Sequence, residues 1–152
     1  MAFHRWMYRS GHPNGLAKLL NRASAYIHSL GVAPNYMVTL DVAGRQSGKT
    51  ISFPLAMVTM DGERYLVSML GEDANWVRNV AAAGGNARLR HGKTEDVRLV
   101  PVDVAQRPPI LKRYLQIAPG ARPHIPVDKD APVTEFAKIA AQYPVFRVEG
   151  LA

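Results

Sequence analysis

The sequence predicts a single α+β domain in which about six mostly antiparallel strands close into a barrel flanked by helices. Short runs rich in β-branched and aromatic residues recur along the chain, and turn residues separate them. Two pairs of these runs are joined by tight turns, at Asp61-Gly62 and around Gly92, which is typical of antiparallel hairpins. The chain of 152 residues corresponds to one domain, predicted over residues 1–152, and is long enough to bury a core.

The composition excludes several classes of protein. The hydrophobic share of 47% and the charged share of 20% are those of an ordinary globular domain. The chain has no cysteine, which excludes a disulfide framework and thiolate chemistry. No apolar run approaches the roughly 20 residues that a membrane-spanning helix needs, and the N-terminus lacks the pattern of a signal peptide. We therefore expect a cytoplasmic protein.

The formal net charge is +7, from 19 Lys and Arg against 12 Asp and Glu. A basic balance suits an anionic partner such as a phosphorylated cofactor, a nucleic acid or a lipid surface, and it also serves solubility. No recognisable nucleic-acid-binding motif accompanies the charge, so we do not expect a nucleic-acid partner.

The N-terminal segment, residues 1–31, is predicted to be basic and helical. Within it, residues 15–30 carry leucine, alanine and isoleucine at helical spacing, and Gly31 ends the pattern. The basic residues are Arg5, Arg9, Lys18 and Arg22, and residues 1–40 contain no acidic residue. This helix either packs on the core or makes a peripheral contact with an anionic membrane, which a basic polar face favours.

Six strands are predicted, at residues 36–42, 50–60, 64–70, 87–90, 96–102 and 144–149. Pro54 lies inside the second run and predicts a bulge or an edge position there, because proline cannot donate a ladder hydrogen bond. Asp61-Gly62 predicts the turn into the third strand.

Three further helices are predicted, at residues 74–83, 108–117 and 133–142. Gly84-Gly85 is expected to end the first of them, and the paired prolines Pro108 and Pro109 suit the first turn of the second. Residues 118–131 are rich in proline and glycine and are predicted to form a loop.

Residues 43–50 match a relaxed phosphate-binding loop with alanine at its first position. A true loop of this kind leads into a helix, whereas the residues after Lys49 favour a strand, so nucleotide hydrolysis is not expected. The turn still combines Gly44 and Gly48, whose amides we expect to be exposed, with the cations Arg45 and Lys49. It is either an anion cradle or a plain hairpin loop with solvated charges.

A combination of short motifs resembles a known family. Gly-Arg-x-Ser-Gly at residues 44–48, Pro54-Leu55, Asp61-Gly62 and Trp76-x-x-Asn79 together are similar to the deazaflavin-dependent nitroreductase family, over residues 36–102. The resemblance implies a split β-barrel that binds coenzyme F420, a deazaflavin with a phosphate and an acidic tail. It implies an oxidoreductase that transfers a hydride to a small-molecule acceptor, namely a quinone, a nitroaromatic or an activated double bond.

The resemblance also implies a set of cofactor-binding residues in three groups. It places Arg45, Gln46, Ser47 and Gly48 by the phosphate and tail, where Lys49 adds a second cation. It gives the ring site the side chains of Phe53, Pro54, Leu55, Val67, Ser68 and Met69. It assigns Trp76, Arg78 and Asn79 to the start of a helix that faces the cofactor.

The chain departs from the family pattern at three positions where many members carry a cation. Gln46, Ile51 and Met69 are neutral there, and each lost charge contact costs about 1.5–3 kcal/mol of binding. FMN and FAD are therefore alternatives to F420. A second interpretation also stays open, in which the barrel is a non-catalytic binder of a flavin-like or apolar ligand.

No catalytic side chain is assigned, because a hydride-transfer cofactor itself carries the reactive carbon. Hydroxyls that suit a hydrogen bond to a reduced oxygen are those of Tyr36, Tyr65 and Ser68. The five histidines are His4, His12, His28, His91 and His124, and none has a metal-ligand spacing, so no metal is expected. A homodimer is expected, because barrel edges and helices often pair.

Overall fold

In the computed structural model, which describes residues 36–151, six antiparallel strands close into a barrel. The strands are β1 Met37–Ala43, β2 Thr50–Met60, β3 Glu63–Val67, β4 Asn86–His91, β5 Lys93–Pro101 and β6 Val145–Gly150. Their order around the barrel is β1-β2-β3-β6-β5-β4, and every neighbouring pair is antiparallel. This confirms the predicted α+β barrel, while the predicted basic segment 1–31 with its helix at 15–30 lies outside the described residues.

Three α-helices from the described part of the chain flank the barrel. They are α1 Asn75–Ala82, α2 Arg107–Ile117 and α3 Val133–Ala137, with 3-10 turns at Val104–Gln106, Pro119–His124 and Ala140–Gln142. None of the helices within residues 36–151 is long and apolar enough to cross a membrane.

Alternation of side chains along each strand divides the apolar residues between two cores. Inward residues such as Leu40, Phe53 and Leu66 fill the barrel, and Trp76 and Val80 of α1 pack into the same cluster. The outward residues Val58 and Val67 pack with apolar residues of α2 and α3 in a second cluster. The barrel therefore carries α1 against its interior core and α2 against the outer face of β2 and β3.

The turn residues take the conformations that the sequence predicts. Asp61 and Gly62 have φ values of 51° and 79°, which fit the type I′ turn that joins twisted strands. Gly84 and Gly85 follow α1 with φ values of 66° and 89°, and the predicted end of the helix is confirmed.

Pro54 lies where β2 changes partners. Residues 50–56 of β2 pair with β1, with Pro54 opposite Thr39, whereas residues 57–60 pair with β3. Pro54 thus stands in the half of β2 that borders a single strand among the described residues, which agrees with the predicted edge position. Residues 50–60 form a strand and not a helix, which confirms the predicted strand and the rejection of a true phosphate-binding loop.

Two predicted elements are too long. The strand predicted at residues 64–70 ends at Val67, because the hydroxyl of Ser68 donates to the carbonyl of Gly71 at 2.6 Å and closes a turn. The helix predicted at 133–142 is α-helical only over Val133–Ala137, and its continuation tightens into bonds between residues three apart, such as Ile139 to Phe136 at 3.2 Å.

Candidate functional site

A cavity of about 180 Å³ opens beside the half of β2 that, among the described strands, pairs with β1 alone. Its walls come from the start of β1, the middle of β2, the end of β3, the start of α1 and the end of α2. Every side chain that residues 36–151 contribute to these walls is uncharged, and most are apolar. The lining residues are Tyr36, Met37, Phe53, Pro54, Leu55, Ala56, Val67, Met69, Leu70, Ala74, Trp76, Tyr114, Ala118, Pro119, Gly120 and Ala121.

Most residues predicted for a ring site meet at this cavity. Phe53, Pro54 and Leu55 form one wall, and Val67 and Met69 form another. Ser68 does not line the cavity, because its side chain is buried and its hydroxyl is bonded to the Gly71 carbonyl. The alternation of β2 explains the first wall, since Phe53 and Leu55 belong to the barrel core while Pro54 and Ala56 face outward.

Trp76 both anchors the core and lines the cavity. Its side chain is 5% exposed and meets the ring of Phe146 edge to face, with ring centroids 5.5 Å apart. Since Trp76 belongs to the first turn of α1, it joins the cavity wall to the helix that carries Arg78 and Asn79. The side chain of Arg78 points away from the core and is exposed.

The loop at residues 44–49 is closed by its own hydrogen bonds. The amide of Gly44 donates to the carbonyl of Lys49 at 2.8 Å, and the amide of Gly48 donates to the carbonyl of Gly44 at 2.9 Å. The amide of Lys49 donates to the hydroxyl of Ser47 at 3.2 Å. The amides of Gly44 and Gly48, which we expected to be exposed, are therefore already used within the turn.

The positive charges of the loop remain accessible. Arg45 and Lys49 are exposed, as are Gln46, Ser47 and Gly48, and the loop does not line the cavity. Arg45 is bonded to Asn79 through both its side chain and its backbone. Its guanidinium donates to Oδ1 of Asn79 at 2.8 Å, and its amide donates to the same oxygen at 3.2 Å. The loop is thereby tied to α1, one turn beyond Trp76.

Asn79 is only 1% exposed, and its Nδ2 has no hydrogen-bond partner among the described residues. Its Oδ1 accepts both bonds from Arg45, which fixes the orientation of the amide group. The predicted cofactor-facing residue is thus, in this structure, the buried anchor of Arg45.

The sequence interpretation missed Tyr114. This residue lies on α2, lines the cavity and is 5% exposed. Burial raises the pKa of Tyr114 above its ordinary value of 10, so the hydroxyl stays protonated at neutral pH. Of the hydroxyl-bearing residues that we singled out in the sequence, Tyr36 also lines the cavity, whereas Tyr65 lines another surface together with Pro101.

Within the part of the chain that the structure describes, no three histidine, aspartate or glutamate side chains come close enough to hold a metal ion.

Similarity to solved structures identifies the fold of this chain. No protein-family model matches the chain, and no curated protein matches it in sequence. A solved structure described as a domain-swapped dimer is 22% identical, with a TM-score of 0.55 over 87% of this chain and 98% of that one.

Two further solved structures are similar over most of both chains. A putative pyridoxamine 5′-phosphate oxidase from Listeria innocua is 9% identical, with a TM-score of 0.53 over 88% of this chain and 94% of that one. An FAD-binding protein from Mesorhizobium loti is 15% identical, with a TM-score of 0.50 over 84% of this chain and 90% of that one. Together with the closed barrel, these similarities show a split-barrel α+β fold.

Proposed function

We propose that this chain binds a flavin-type cofactor against the cavity and uses it to transfer a hydride to a small organic acceptor. The observation that carries the proposal is the convergence of side chains from β2, β3 and α1 on one uncharged cavity. Flat conjugated rings are bound by such apolar walls with a few polar groups at their edges. A structural neighbour described as an FAD-binding protein supports the proposal, because it shares the fold over most of both chains.

The specific cofactor that we propose is the deazaflavin F420, with FMN and FAD as alternatives. When bound, the reduced ring supplies the hydride, and the chain supplies position and a wall that excludes water. A cavity of about 150 Å³ holds a benzene ring, so the 180 Å³ here accommodates one edge of a ring system. The remainder of the ring would then lie along the cavity mouth.

The fit to an anionic tail depends on side-chain charge. Arg45, Lys49 and Arg78 are exposed cations on the loop and on α1, which the bond between Arg45 and Asn79 ties together. Because the amides of Gly44 and Gly48 donate within the turn, they do not add to the binding of phosphate. We therefore propose that the tail is held through the guanidinium and ammonium groups.

A second candidate function is a non-catalytic binder of a flavin-like or apolar ligand. The hydrogen bonds within the loop favour the binder, because the amides that form them do not bind an anionic tail. The neutral side chains of Gln46 and Ile51 favour it too, because they offer no charge to such a tail. The uncharged cavity would serve such a binder equally well.

Two measurements distinguish the reductase from the non-catalytic binder. Calorimetric titrations with F420, FMN and FAD measure cofactor binding, and anaerobic oxidation of the bound reduced cofactor by menadione measures turnover. Tight binding with turnover supports the reductase, and binding without turnover supports the binder. If none of the three cofactors binds, the proposed function is wrong.

A variant that fills the cavity sharpens this test. Gly120 lines the cavity, and a Cβ built on it meets no atom within 4 Å, so Gly120→Leu adds bulk there without a backbone clash. We expect Gly120→Leu to weaken cofactor binding about tenfold or more, because the leucine occupies space that the ring needs. Ala82→Leu is the matched control, since Ala82 is exposed on α1 and does not line the cavity.

We also propose that the protein is a homodimer. A structural neighbour described as a domain-swapped dimer supports this, as that protein shares the fold over most of both chains. Light scattering after size exclusion tests the proposal, and a mass equal to one chain of 16.7 kDa would contradict it.

A further inference from the structure

A second groove, which we call the outer groove, lies on the outer face of the barrel and has a volume of about 490 Å³. Among residues 36–151, it shares no lining residue with the cavity of the proposed cofactor site. Its walls include the apolar side chains of Met60, Tyr65 and Val100, and the charged residues that the described chain contributes are Asp61, Asp103 and Arg147. The proposed function makes no use of this groove.

The outer groove exists because α2 covers only part of the outer face of the sheet. Val58, Tyr65, Arg147 and Val100 lie opposite one another on four neighbouring strands and so form one row on that face. Val58 packs with α2 and is fully buried, whereas the other three residues are half-buried. A further helix beside α2 would complete this layer, as expected for a domain built from packed layers.

The chain before β1 leads toward the outer groove. The carbonyl of Tyr36 accepts a 2.7 Å bond from the amide of Met57, and β1 is antiparallel to β2, so the chain enters β1 from the Met60 end of β2. Met57 and Met60 are about 10 Å apart along a strand. Residues 31–35 span up to about 17 Å when extended, so a helix that ends at Leu30 can reach the groove.

Residues 15–30 have the pattern that suits this groove. Their predicted helix carries a stripe of leucine, alanine and isoleucine, and Arg22 borders that stripe because it comes three residues after Leu19. From Leu30 to Arg22 a helix extends about 12 Å, and three strand spacings, from β2 across β3 and β6 to β5, measure about 14 Å. A helix that starts across the groove from Met60 therefore brings Arg22 to the β5 side.

The charge on the β5 side is opposite to that of Arg22. Asp103 is exposed there, and the ion pairs within residues 36–151 do not include it. The guanidinium of Arg107, whose charge also acts on Asp103, donates to backbone carbonyls. Arg147 is paired with Glu149 at 3.3 Å, so its charge is offset and does not oppose a basic segment.

We propose that residues 15–30 of the same chain dock in the outer groove as an amphipathic helix. The apolar stripe lies against Met60 and Val100, and Arg22 lies beside Asp103. Burial of the stripe stabilises the docked helix, and the short connection to β1 keeps its local concentration high. Of the two roles that the sequence leaves open for this helix, packing on the protein is the one that the groove supports.

Cysteine pairs test the docking, because the natural chain contains no cysteine. In the full chain, we expect Arg22→Cys/Asp103→Cys to form a disulfide within one molecule on mild oxidation. It should form about tenfold faster than in Ala25→Cys/Asp103→Cys, because a disulfide needs closely spaced Cα atoms. Ala25 is the matched control, since it belongs to the same predicted helix but lies opposite the apolar stripe. Electrophoresis without reductant measures both rates.

Labelling of a single cysteine tests the cover of the groove without a cross-link. Val100→Cys should react slowly with a thiol reagent while the helix lies over it. Leu20→Glu places a charge in the stripe and should speed the reaction about tenfold, whereas Ala25→Glu should leave it within about twofold. Val38→Cys, in the barrel core, should stay unreactive in every background and so shows that the barrel remains folded.

Three outcomes would overturn the proposal. The first is an equal rate of disulfide formation in the two cysteine pairs, and the second is equal labelling of Val100→Cys with and without Leu20→Glu. The third is a disulfide between two chains, which would assign the groove to a second copy of the protein. None of these measurements involves a cofactor, so their result is independent of the proposed function.

Discussion

The guanidinium of Arg45 donates a 2.8 Å hydrogen bond to Oδ1 of Asn79, across 34 residues of sequence. The acceptor is buried on α1, while Arg45 itself is exposed in the loop between β1 and β2. One N–H of the guanidinium is thus used as an anchor, and the rest of the planar group is presented to solvent. Such a pre-oriented guanidinium suits a bidentate contact with a phosphate or a carboxylate.

Arg45→Ala should weaken F420 binding by about 1.5–3 kcal/mol, roughly ten- to a hundredfold, because it removes a charged contact to the tail. The effect of Lys49→Ala should be smaller, since an ammonium is a point charge without the planar fork. Titration calorimetry at low and high salt measures both, and the loss should shrink at high salt, where exposed charges are screened. Arg113→Ala, an exposed cation on α2, is the control. Unchanged affinity in Arg45→Ala would mean that the loop is only a turn.

The bond between Arg45 and Asn79 should also appear as an energetic coupling. We expect a double-mutant cycle of Arg45→Ala and Asn79→Ala to give about 0.5–1.5 kcal/mol in the free energy of unfolding, the range of a typical hydrogen bond. Urea denaturation of the four proteins measures it. Strictly additive changes in the free energy of unfolding would show that the two side chains do not interact in solution.

A cation introduced next to Arg45 should strengthen the binding of the anionic F420 tail. Gln46 is exposed in the same loop, and Gln46→Lys adds a positive charge there without a burial cost. We expect F420 to bind up to about 1 kcal/mol more tightly, since exposed charge pairs rarely contribute more. Riboflavin, which lacks the anionic tail, should bind both proteins equally. A gain for riboflavin as large as that for F420 would contradict the electrostatic explanation.

Local patterns predicted the barrel because its strands and turns are specified locally. The β-branched and aromatic residues of β2 and the Asp61-Gly62 turn are local features of the sequence, and both predicted elements are confirmed. The sequence pattern predicted the wrong structure where contacts between distant residues determine the backbone conformation. Residues 138–142 leave the α-helix, and the carbonyl of Ala140 accepts a bond from Arg107, 33 residues away.

The candidate site was predicted in part for the same reason. The ring-site residues of β2 were found through short motifs, whereas Tyr114 carried no motif. Its position on α2 fits the apolar stripe with Ile110, Leu111 and Leu115, so the sequence alone assigns it to the core. Only the packing of α2 against β2 shows that this residue also lines a cavity.

The two glycines after α1 should differ sharply in their tolerance of a side chain. A Cβ on Gly85 would lie 2.7 Å from the carbonyl oxygen of Leu99, whereas a Cβ on Gly84 meets nothing within 4 Å. Both have positive φ, so Gly84→Ala should cost only the backbone strain of about 1–2 kcal/mol. Gly85→Ala must also displace the backbone of β5 and should lose distinctly more stability. Equal melting temperatures for the two variants would contradict this packing.

The ion pair of Arg64 and Glu95 makes stability depend on pH at the end of the barrel where β3 and β5 begin. The Arg64 guanidinium donates to both carboxylate oxygens, at 2.9 and 3.1 Å, and these hydrogen bonds hold the pKa of Glu95 below its ordinary value of 4.5. A carboxyl whose pKa is lower in the folded state stabilises that state above about pH 4.5. This contribution is lost as the pH falls through the folded-state pKa.

Glu95→Gln should therefore lower the free energy of unfolding by about 0.5–1 kcal/mol at pH 7, a modest value because the carboxylate is 30% exposed. The difference from wild type should narrow in strong acid, where Glu95 is protonated and the wild type no longer gains from its charge. Urea denaturation at pH 7 and pH 3 measures both values. Glu135→Gln is the control, since its carboxylate is 46% exposed in a pair with Lys138 within one helical turn. If Glu95→Gln lowers the free energy of unfolding equally at both pH values, the shape of the side chain and not its charge accounts for the stabilisation.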